Sequence, residues 1–493
     1  MLHKIHTIIL CLVLFLPAVS VTAEDTNDRS IPDLGTRLEL FVDNFLVESM
    51  NNVAYKLHEP RDEGVAFAFD APWEDGFATY VTVLDDGVKK RAYYRASGGV
   101  TCCAESDDGI HWTKPEYNII NLGDAKKLNN AIWGGDGDHN FTPFVDKRPG
   151  VPPEEKYKAL GGIGRLLAFI SSDGVHWKKL SETPVIQSPN ACYMFDSQNV
   201  AFWSESEQKY VCYMRYTIDF QGPNELRSVA RATSDDFIHW SAPEPMTFDD
   251  PQVEHLYTNQ TCPYFRAPHI YLATAARFVY GQNAVDEEMA KEIHVVPGYL
   301  KIDLRFFNDC SDAVLLTTRG GGSHYDRLFR ESLIRPGIEP GNWASRSNYP
   351  AAGLIQTSES EMSMYVVRFY QQVERALHRY SIRLDGFVSV HAGYDPGELI
   401  TRPFRFSGQD LILNFATGAA GKMQVELLDE AGTPIPGYSR EESPALVGNK
   451  IAKEVVWQND RHAGELAGKV VRLKFYMKEV DLYSLVFRDD NAN

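Results

Sequence analysis

The sequence predicts an all-β protein: a five-bladed β-propeller over residues 31–392, followed by a C-terminal β-sandwich over residues 396–490. Three observations carry that expectation. The heptapeptide Ser106-Asp107-Asp108-Gly109-Ile110-His111-Trp112 recurs as Ser171-Ser172-Asp173-Gly174-Val175-His176-Trp177 and as Ser234-Asp235-Asp236-Phe237-Ile238-His239-Trp240. Its tryptophans stand 65 and then 63 residues apart, and the same order of short β-rich runs precedes each copy. After Tyr394-Asp395-Pro396-Gly397 the repeat stops, while alternating apolar runs continue.

The chain begins with a different kind of segment. Lys4 precedes an apolar run at residues 8–16, Pro17 interrupts it, and Val21-Thr22-Ala23 closes it. That layout predicts a secretory signal peptide at 1–23, cleaved after Ala23, and hence a secreted or periplasmic protein. The run is too short to span a bilayer, and no later stretch is long enough, so no membrane partner is expected. Cys11 lies inside the run and away from the cleavage site, which argues against a lipid anchor. Six cysteines remain, Cys102, Cys103, Cys192, Cys212, Cys262 and Cys310. Export permits disulfides, but in a chain this long such residues are more often buried small hydrophobes. Without a C-x-x-C pair, a structural zinc has little support.

Each blade is read from its turn backwards. In the heptapeptide an Asp carboxylate accepts backbone N–H groups, Gly permits a positive φ, and Trp packs beneath. Runs at 78–84, 91–95 and 102–105 precede the first copy; 141–145, 157–160 and 167–171 the second; 200–203, 210–215 and 229–232 the third. A fourth strand is expected after every turn, and four strands per repeat make a propeller blade. Weaker echoes at Gly320-Gly321-Gly322-Ser323-His324-Tyr325 and Arg383-Leu384-Asp385-Gly386-Phe387 supply two more blades, with an insertion near 286–298 in the fourth. A β-solenoid is the rival, but its repeats are usually shorter. The later runs at 411–415, 424–428, 455–457, 470–476 and 482–487 read as the sandwich.

The turn repeat resembles the Asp box of sialidases, one residue shorter between Asp and Trp. The five-bladed propeller with a trailing sandwich resembles the glycoside hydrolase family 32 and 43 superfamily. The Trp-Met-Asn-Asp-Pro and Arg-Asp-Pro signatures are absent, so the resemblance implies the superfamily and not a fructan substrate. It implies acids from the first three blades at the central channel, which by position are Glu74, Asp138 and Asp196, with Glu254 as a fourth.

Propeller geometry gathers the segments leading into each blade's first strand on one face. They carry Trp73-Glu74-Asp75, Asp136-Gly137-Asp138-His139, Asp196-Ser197-Gln198-Asn199, Glu254-His255-Leu256-Tyr257, and Trp343 with Arg346. Glycoside hydrolysis needs one protonated and one charged carboxyl, and clustered acids help to separate their pKa values. The expected catalytic set is Glu74, Asp138, Asp196 and Glu254, with Asp196 as charged base or nucleophile and Glu254 as acid. Common loop acids with no such role are the plainer alternative. Arg95, Arg215 and Arg277 end second strands and either fork onto a sugar carboxylate or sulfate or brace the acids. Trp73, Tyr257, Trp343 and Trp133 are candidates to stack on sugar rings, or else are core. His139 and His255 adjoin the acids, where a metal or proton-transfer role stands beside the plainer readings of a hydrogen-bonding substrate contact or a structural histidine. With Arg346, the expected substrate-binding set is therefore Trp73, Arg95, His139, Arg215, Tyr257, Arg277, Trp343 and Arg346.

These residues predict a secreted glycoside hydrolase, the alternative being a non-catalytic carbohydrate-binding propeller. The partner is a carbohydrate, anionic on the functional reading of the arginines. A net charge of −18 disfavours nucleic acid. No P-loop, dinucleotide fingerprint, His-Glu-x-x-His or Gly-x-Ser-x-Gly is present, so no organic cofactor or catalytic metal is expected. A structural calcium in the channel is left open, as is the oligomeric state. Asn140-Phe141-Thr142 and Asn259-Gln260-Thr261 are sequons.

Overall fold

The computed structural model describes residues 31–74, 76–96, 99–123, 128–187, 195–249, 252, 254–293 and 307–489. The leader expected at 1–23, Asp75 and Cys192 lie outside them. Four-stranded antiparallel meanders follow one another along the chain. Blade one is Thr79–Asp85, Lys90–Ala96, Val100–Ser106 and Trp112–Thr113; blade two is Thr142–Val145, Tyr157–Gly161, Arg165–Ser171 and Lys178–Lys179. Blade three is Val200–Ser204, Lys209–Ile218, Leu226–Ser234 and Glu244–Pro245. In blade four Thr261–Tyr264, Ala267–Val279 and Cys310–Arg319 pair in order, and bridges at Asp326 and Ile334 replace a regular outer strand. The fourth-blade insertion contains a short helix, Glu287–Glu292, whose Met289 N–H donates to Asp286 Oδ1 at 2.8 Å. Among the described residues no helix is long and apolar enough to cross a membrane.

The three heptapeptides form the same turn. In the first, Asp108 Oδ1 accepts the N–H groups of Ile110 and His111 at 2.7 and 2.8 Å, and Trp112 Nε1 donates to the Gly109 carbonyl at 3.1 Å. Gly109 and Gly174 hold φ of 77° and 78°, and Phe237 adopts the same left-handed conformation at 68°. That costs a side-chain residue about 1–2 kcal/mol. Burying a phenylalanine returns about 1.5–3 kcal/mol, and Phe237 is wholly buried against Tyr210, Phe144 and Trp240.

Blade five departs from the expected order. Its strands are Tyr349–Pro350, Glu361–Arg368 and Ala376–Arg383, and its outer strand is Arg61–Ala68 from the other end of the chain. The chain leaves blade five at Leu384-Asp385-Gly386-Phe387 and enters the second domain at once. There Val388–Ala392 pairs with both Val53–Leu57 and Arg472–Arg488. Glu39–Leu40 and Val47–Asn51 join the same eight-stranded sheet. The sandwich is thus built from both ends of the described chain, whereas the sequence had placed residues 31–57 and 388–392 with the propeller. Apolar residues attract no notice of pairing at a separation of several hundred positions, which is why the boundary was misplaced. The sheet wraps one core that includes Phe404, Leu413, Phe415, Val425, Trp457 and Phe475.

A buried charge network joins the two domains. Glu39, from the sandwich sheet, accepts hydrogen bonds from Arg37 at 2.8 Å, His269 at 3.0 Å and Arg319 at 3.0 Å. Arg319 also forks onto Asp43 at 2.7 and 3.1 Å. Burial raises the Glu39 pKa, but His269, Arg319 and Arg37 outweigh it and bring it down to about 2. The five described cysteines are free, so they serve as small core residues.

Because the folded carboxyl of Glu39 binds a proton less readily than its ordinary value of 4.5 allows, its stabilisation is complete above that pH. It is lost as pH falls toward 2. Removing one partner of a buried pair costs about 3–5 kcal/mol. Glu39→Gln is therefore expected to lower stability at pH 7 by an amount of that order and to flatten the acid limb between pH 4.5 and 2. Chemical denaturation followed across that range checks it, and an unchanged acid limb would contradict the assignment.

Candidate functional site

The five inner strands open at one end into a funnel of about 340 Å³. Blade one contributes Phe77, Tyr80, Arg95 and Gly99, blade two Asp138 and His139, blade three Asp196, blade four Tyr257, and blade five Arg346 and Tyr370. The start of each inner strand is conformationally unusual. Tyr80, Asn140, Phe195, Gln260, Arg346 and Asn348 all hold φ between 52° and 68°. Left-handed residues of this kind persist where neighbours over-determine them, and they cluster at working sites.

Asparagines supply that over-determination. Asn140 Nδ2 donates to Ser197 O at 2.9 Å, Asn259 Nδ2 to Tyr213 O at 3.3 Å, and Asn348 Nδ2 to Ser311 O at 2.8 Å, each reaching a neighbouring blade. Asn140 and Asn259 are the sequon residues, but at 1% and 2% exposure they are latches in the folded chain and not glycosylation sites. Below the funnel, Gln198 Nε2 donates to Val81 O at 3.0 Å and also to Thr82 Oγ1, and Gln260 Nε2 donates to Gln198 Oε1 at 2.7 Å. This amide plug floors the funnel. Gln260 Nε2 also donates to the Pro350 carbonyl at 2.7 Å, so the two amides tie together blades one, three, four and five.

Two carboxylates in the funnel occupy opposite environments. Asp196 lies 2.9 Å from His139 Nε2. Burial raises its pKa, but the His139 hydrogen bond, Arg215, and Arg95 outweigh burial and hold it below its ordinary value. Asp138 is raised by burial, which its backbone hydrogen bonds do not offset. A Cβ on Gly99, at φ 73°, would meet Asp138 Oδ2 at 2.4 Å, so only glycine leaves this carboxyl its place. Opposite them, burial raises the Tyr257 phenol, and Asp196 adds to that. Arg346, Arg215 and Arg227 outweigh both and bring it below the ordinary tyrosine value. Tyr80, Tyr349 and Tyr370 are all raised, chiefly by burial.

The funnel thus brings together Arg95, Asp138, His139, Asp196, Tyr257 and Arg346 from the sequence-predicted set. Arg215 lies just beneath, 6% exposed, donating to the Tyr257 carbonyl with its guanidinium 4.6 Å from the Tyr257 ring centre. The remaining residues are elsewhere. Glu74 is 0% exposed and bonded to Lys114 at 2.6 Å, to Ala71 N–H at 3.0 Å and to Tyr94 Oη, so it braces blade one. Trp73 packs in the same core with its Nε1 on Asn130 Oδ1 at 2.9 Å. Glu254 pairs with Arg327 and with Arg277 at 3.9 Å, while Arg277 itself forks onto Asp312. Trp343 donates to Gly337 O at 2.8 Å and packs with the insertion helix behind Tyr370. Trp133 packs on Phe141 and Phe169, and His255 Nδ1 accepts the Arg227 N–H at 3.1 Å. Phe77, Tyr80 and Tyr370 were not anticipated. Tyr80 sits in the run 78–84 read as plain strand, Phe77 just before that run, and Tyr370 in a loop with no motif.

Among the described residues, two sets of histidine and carboxylate donors, Asp249–His324–Asp326 and Asp410–Glu454–His462, each bring their ligand atoms within 4.8 Å, and neither set lines the funnel. In the second, His462 Nδ1 is shared between Asp410 at 2.7 Å and Glu454 at 3.0 Å, an arrangement that a protonated histidine satisfies.

No family model matches the sequence, and no curated protein does. Several solved structures are similar in fold. An N-acetylgalactosamine deacetylase from F. plautii, in complex with blood group B trisaccharide, is 14% identical over 69% of this chain and 96% of that chain, with a TM-score of 0.40. A protein described as a glycoside hydrolase is 10% identical over 86% of this chain and 100% of its own, with a TM-score of 0.39. A fructofuranosidase from Schwanniomyces occidentalis complexed with fructosylnystose is 10% identical over 88% and 99%, with a TM-score of 0.35.

The arginines around Tyr257 make a spectroscopic prediction. In an ultraviolet pH titration, wild-type protein minus Tyr257→Phe should show one phenol ionising below pH 10, the ordinary tyrosine value. A difference spectrum that appears only above pH 10 would contradict the charge arrangement described.

Proposed function

We propose that the protein is a glycoside hydrolase whose chemistry is carried by Asp138 and Asp196 in the propeller funnel. The supporting observation is that two carboxyls lining one cavity are driven apart in pKa, Asp138 upward and Asp196 downward. That division is what cleavage of a glycosidic bond requires. Asp138, whose burial makes it the more readily protonated of the two, gives a proton to the leaving oxygen as the C–O bond breaks. Asp196 stays charged and acts on the anomeric carbon or on the water that replaces the leaving group. His139 fixes the Asp196 carboxylate by its 2.9 Å contact, so the charged group does not turn away. Glu254, expected from sequence as the acid, is already paired with two arginines, and the acid role passes to Asp138. Phe77, only partly buried in the lining, gives the funnel an apolar surface for a sugar ring.

On this reading Asp138→Asn and Asp196→Asn each lower turnover by on the order of 10²–10⁴-fold, while Glu254→Gln leaves it near wild type. The pH profile should be bell-shaped. Activity is lost on the acid side as Asp196 takes up a proton and on the alkaline side as Asp138 gives its proton up. Reducing-sugar release across neutral, uronic and sulfated glycans, combined with glycan-array binding, provides the test. Binding with no turnover on any glycan would favour a carbohydrate-binding propeller, and full activity in both Asn variants would remove the assignment.

A further inference from the structure

Several arginines elsewhere in the propeller are held by carboxylates, whereas Arg215 and Arg227 bond instead to a carbonyl and to Tyr280. Arg319 is held by Glu39 and Asp43, Arg277 by Asp312, Arg91 by Asp86 and Glu105, and Arg379 by Glu361. The two funnel arginines are not. Among the described residues neither Arg95 nor Arg346 has an ion-pair partner, and the Nε of each is buried with no hydrogen-bond acceptor. The Arg95 guanidinium makes one hydrogen bond, Nη1 to Asn140 Oδ1 at 3.2 Å, and otherwise lies over the rings of Tyr80 and Phe77 at 4.6 and 5.9 Å. Among the described residues Arg346 makes one hydrogen bond, through its backbone, N–H to Ser311 Oγ at 3.3 Å. Both guanidiniums act electrostatically on Tyr370, which lies between them in the cavity lining.

The cavity's own carboxylates do not pair with these arginines. Asp196 is hydrogen-bonded to His139, and Arg95 acts on its charge without an ion pair between them. Among the described residues, two fixed cations therefore face a half-enclosed space with no ion-pair partner. An unpaired buried charge is costly, and in a protein with 67 acidic residues against 49 basic ones a partner was readily available. Guanidinium groups present paired N–H donors matched to the oxygens of a carboxylate or sulfate.

We propose that Arg95 and Arg346 form an anion clamp, and that the sugar seated in the funnel carries a carboxylate or sulfate ester. This rests on reading the funnel as a carbohydrate site, and it does not depend on hydrolysis. The clamp holds the anionic substituent on the blade-one and blade-five side, and the sugar ring then extends toward Asp138 and Asp196 on blades two and three. An acidic protein thereby accepts an acidic ligand at one point of its surface.

The test is calorimetric binding to the full-length protein of methyl glucuronide, methyl galacturonide, glucose 6-sulfate and neutral methyl glucoside. At least one anionic sugar is expected to bind about 10- to 100-fold more tightly than the neutral one. Arg95→Gln and Arg346→Gln should each remove most of that difference. The uronide and sulfate arms identify which anion is preferred. Equal affinity for anionic and neutral sugars, or no binding of any anionic probe, would overturn the clamp, and the wild-type comparison stands even if a variant fails to fold. Tight, arginine-dependent binding without turnover of any glycan would sink the hydrolase reading alone. Turnover of neutral glycosides with no anion preference would sink the clamp alone.

Discussion

A ring of blades must close on itself, and here closure is made by one strand pairing. Arg61–Ala68, near the start of the described chain, lies antiparallel against Ala376–Arg383 from the last blade. Without it, blade five would present an unpaired edge and the ring could open. The same pairing has a second effect. Because the chain just before residue 61 and just after residue 387 leave the propeller together, their strands lie side by side and seed the sandwich. The Glu39–Arg319–Asp43 network then fastens that sandwich back onto blade four. Closure, second domain and domain interface are consequences of one long-range contact.

The funnel inherits its precision from the closed ring. Each catalytic candidate comes from a different blade, so their separation is set by blade packing and not by any local loop. The asparagine latches at Asn140, Asn259 and Asn348 run from one blade to another and hold the left-handed starts of the inner strands. These starts turn Tyr80, Asp196 and Arg346 into the cavity, where a regular strand would alternate them away. Placing charged groups there creates the contrast on which the proposed chemistry rests. Asp196 keeps its charge beside His139 and two arginines, and Asp138 lies a blade away with burial as its main influence.

What could be read in the sequence was mostly local. The Ser-Asp-Asp-Gly turn is closed by its own side chains, so its pattern survives in seven residues and gave the blades and their handed faces. Asp138, His139 and Asp196 were legible because each lies within a few residues of an inner strand whose start the repeat predicts. Glu74 and Glu254 satisfied the same rule and failed it for reasons outside their own segments. Glu74 is drawn inward by Lys114, and Glu254 is claimed by Arg327, more than seventy residues later. Tyr80 was hidden by its positive φ, since one left-handed residue reverses the side to which a strand residue points. The outer strand of blade five and the N-terminal part of the sandwich depend on pairings across most of the chain, which no local pattern records.

The central claim is that one cavity holds two aspartates whose surroundings shift them in opposite directions, Asp138 upward and Asp196 downward. Residue-resolved carbon NMR titration of the aspartate side chains, assigned with the Asp138→Asn and Asp196→Asn variants, measures it directly. The account predicts Asp138 titrating above the ordinary aspartate value of 3.8 and Asp196 below it. Two carboxyls titrating together at the ordinary value, or in the reverse order, would contradict it.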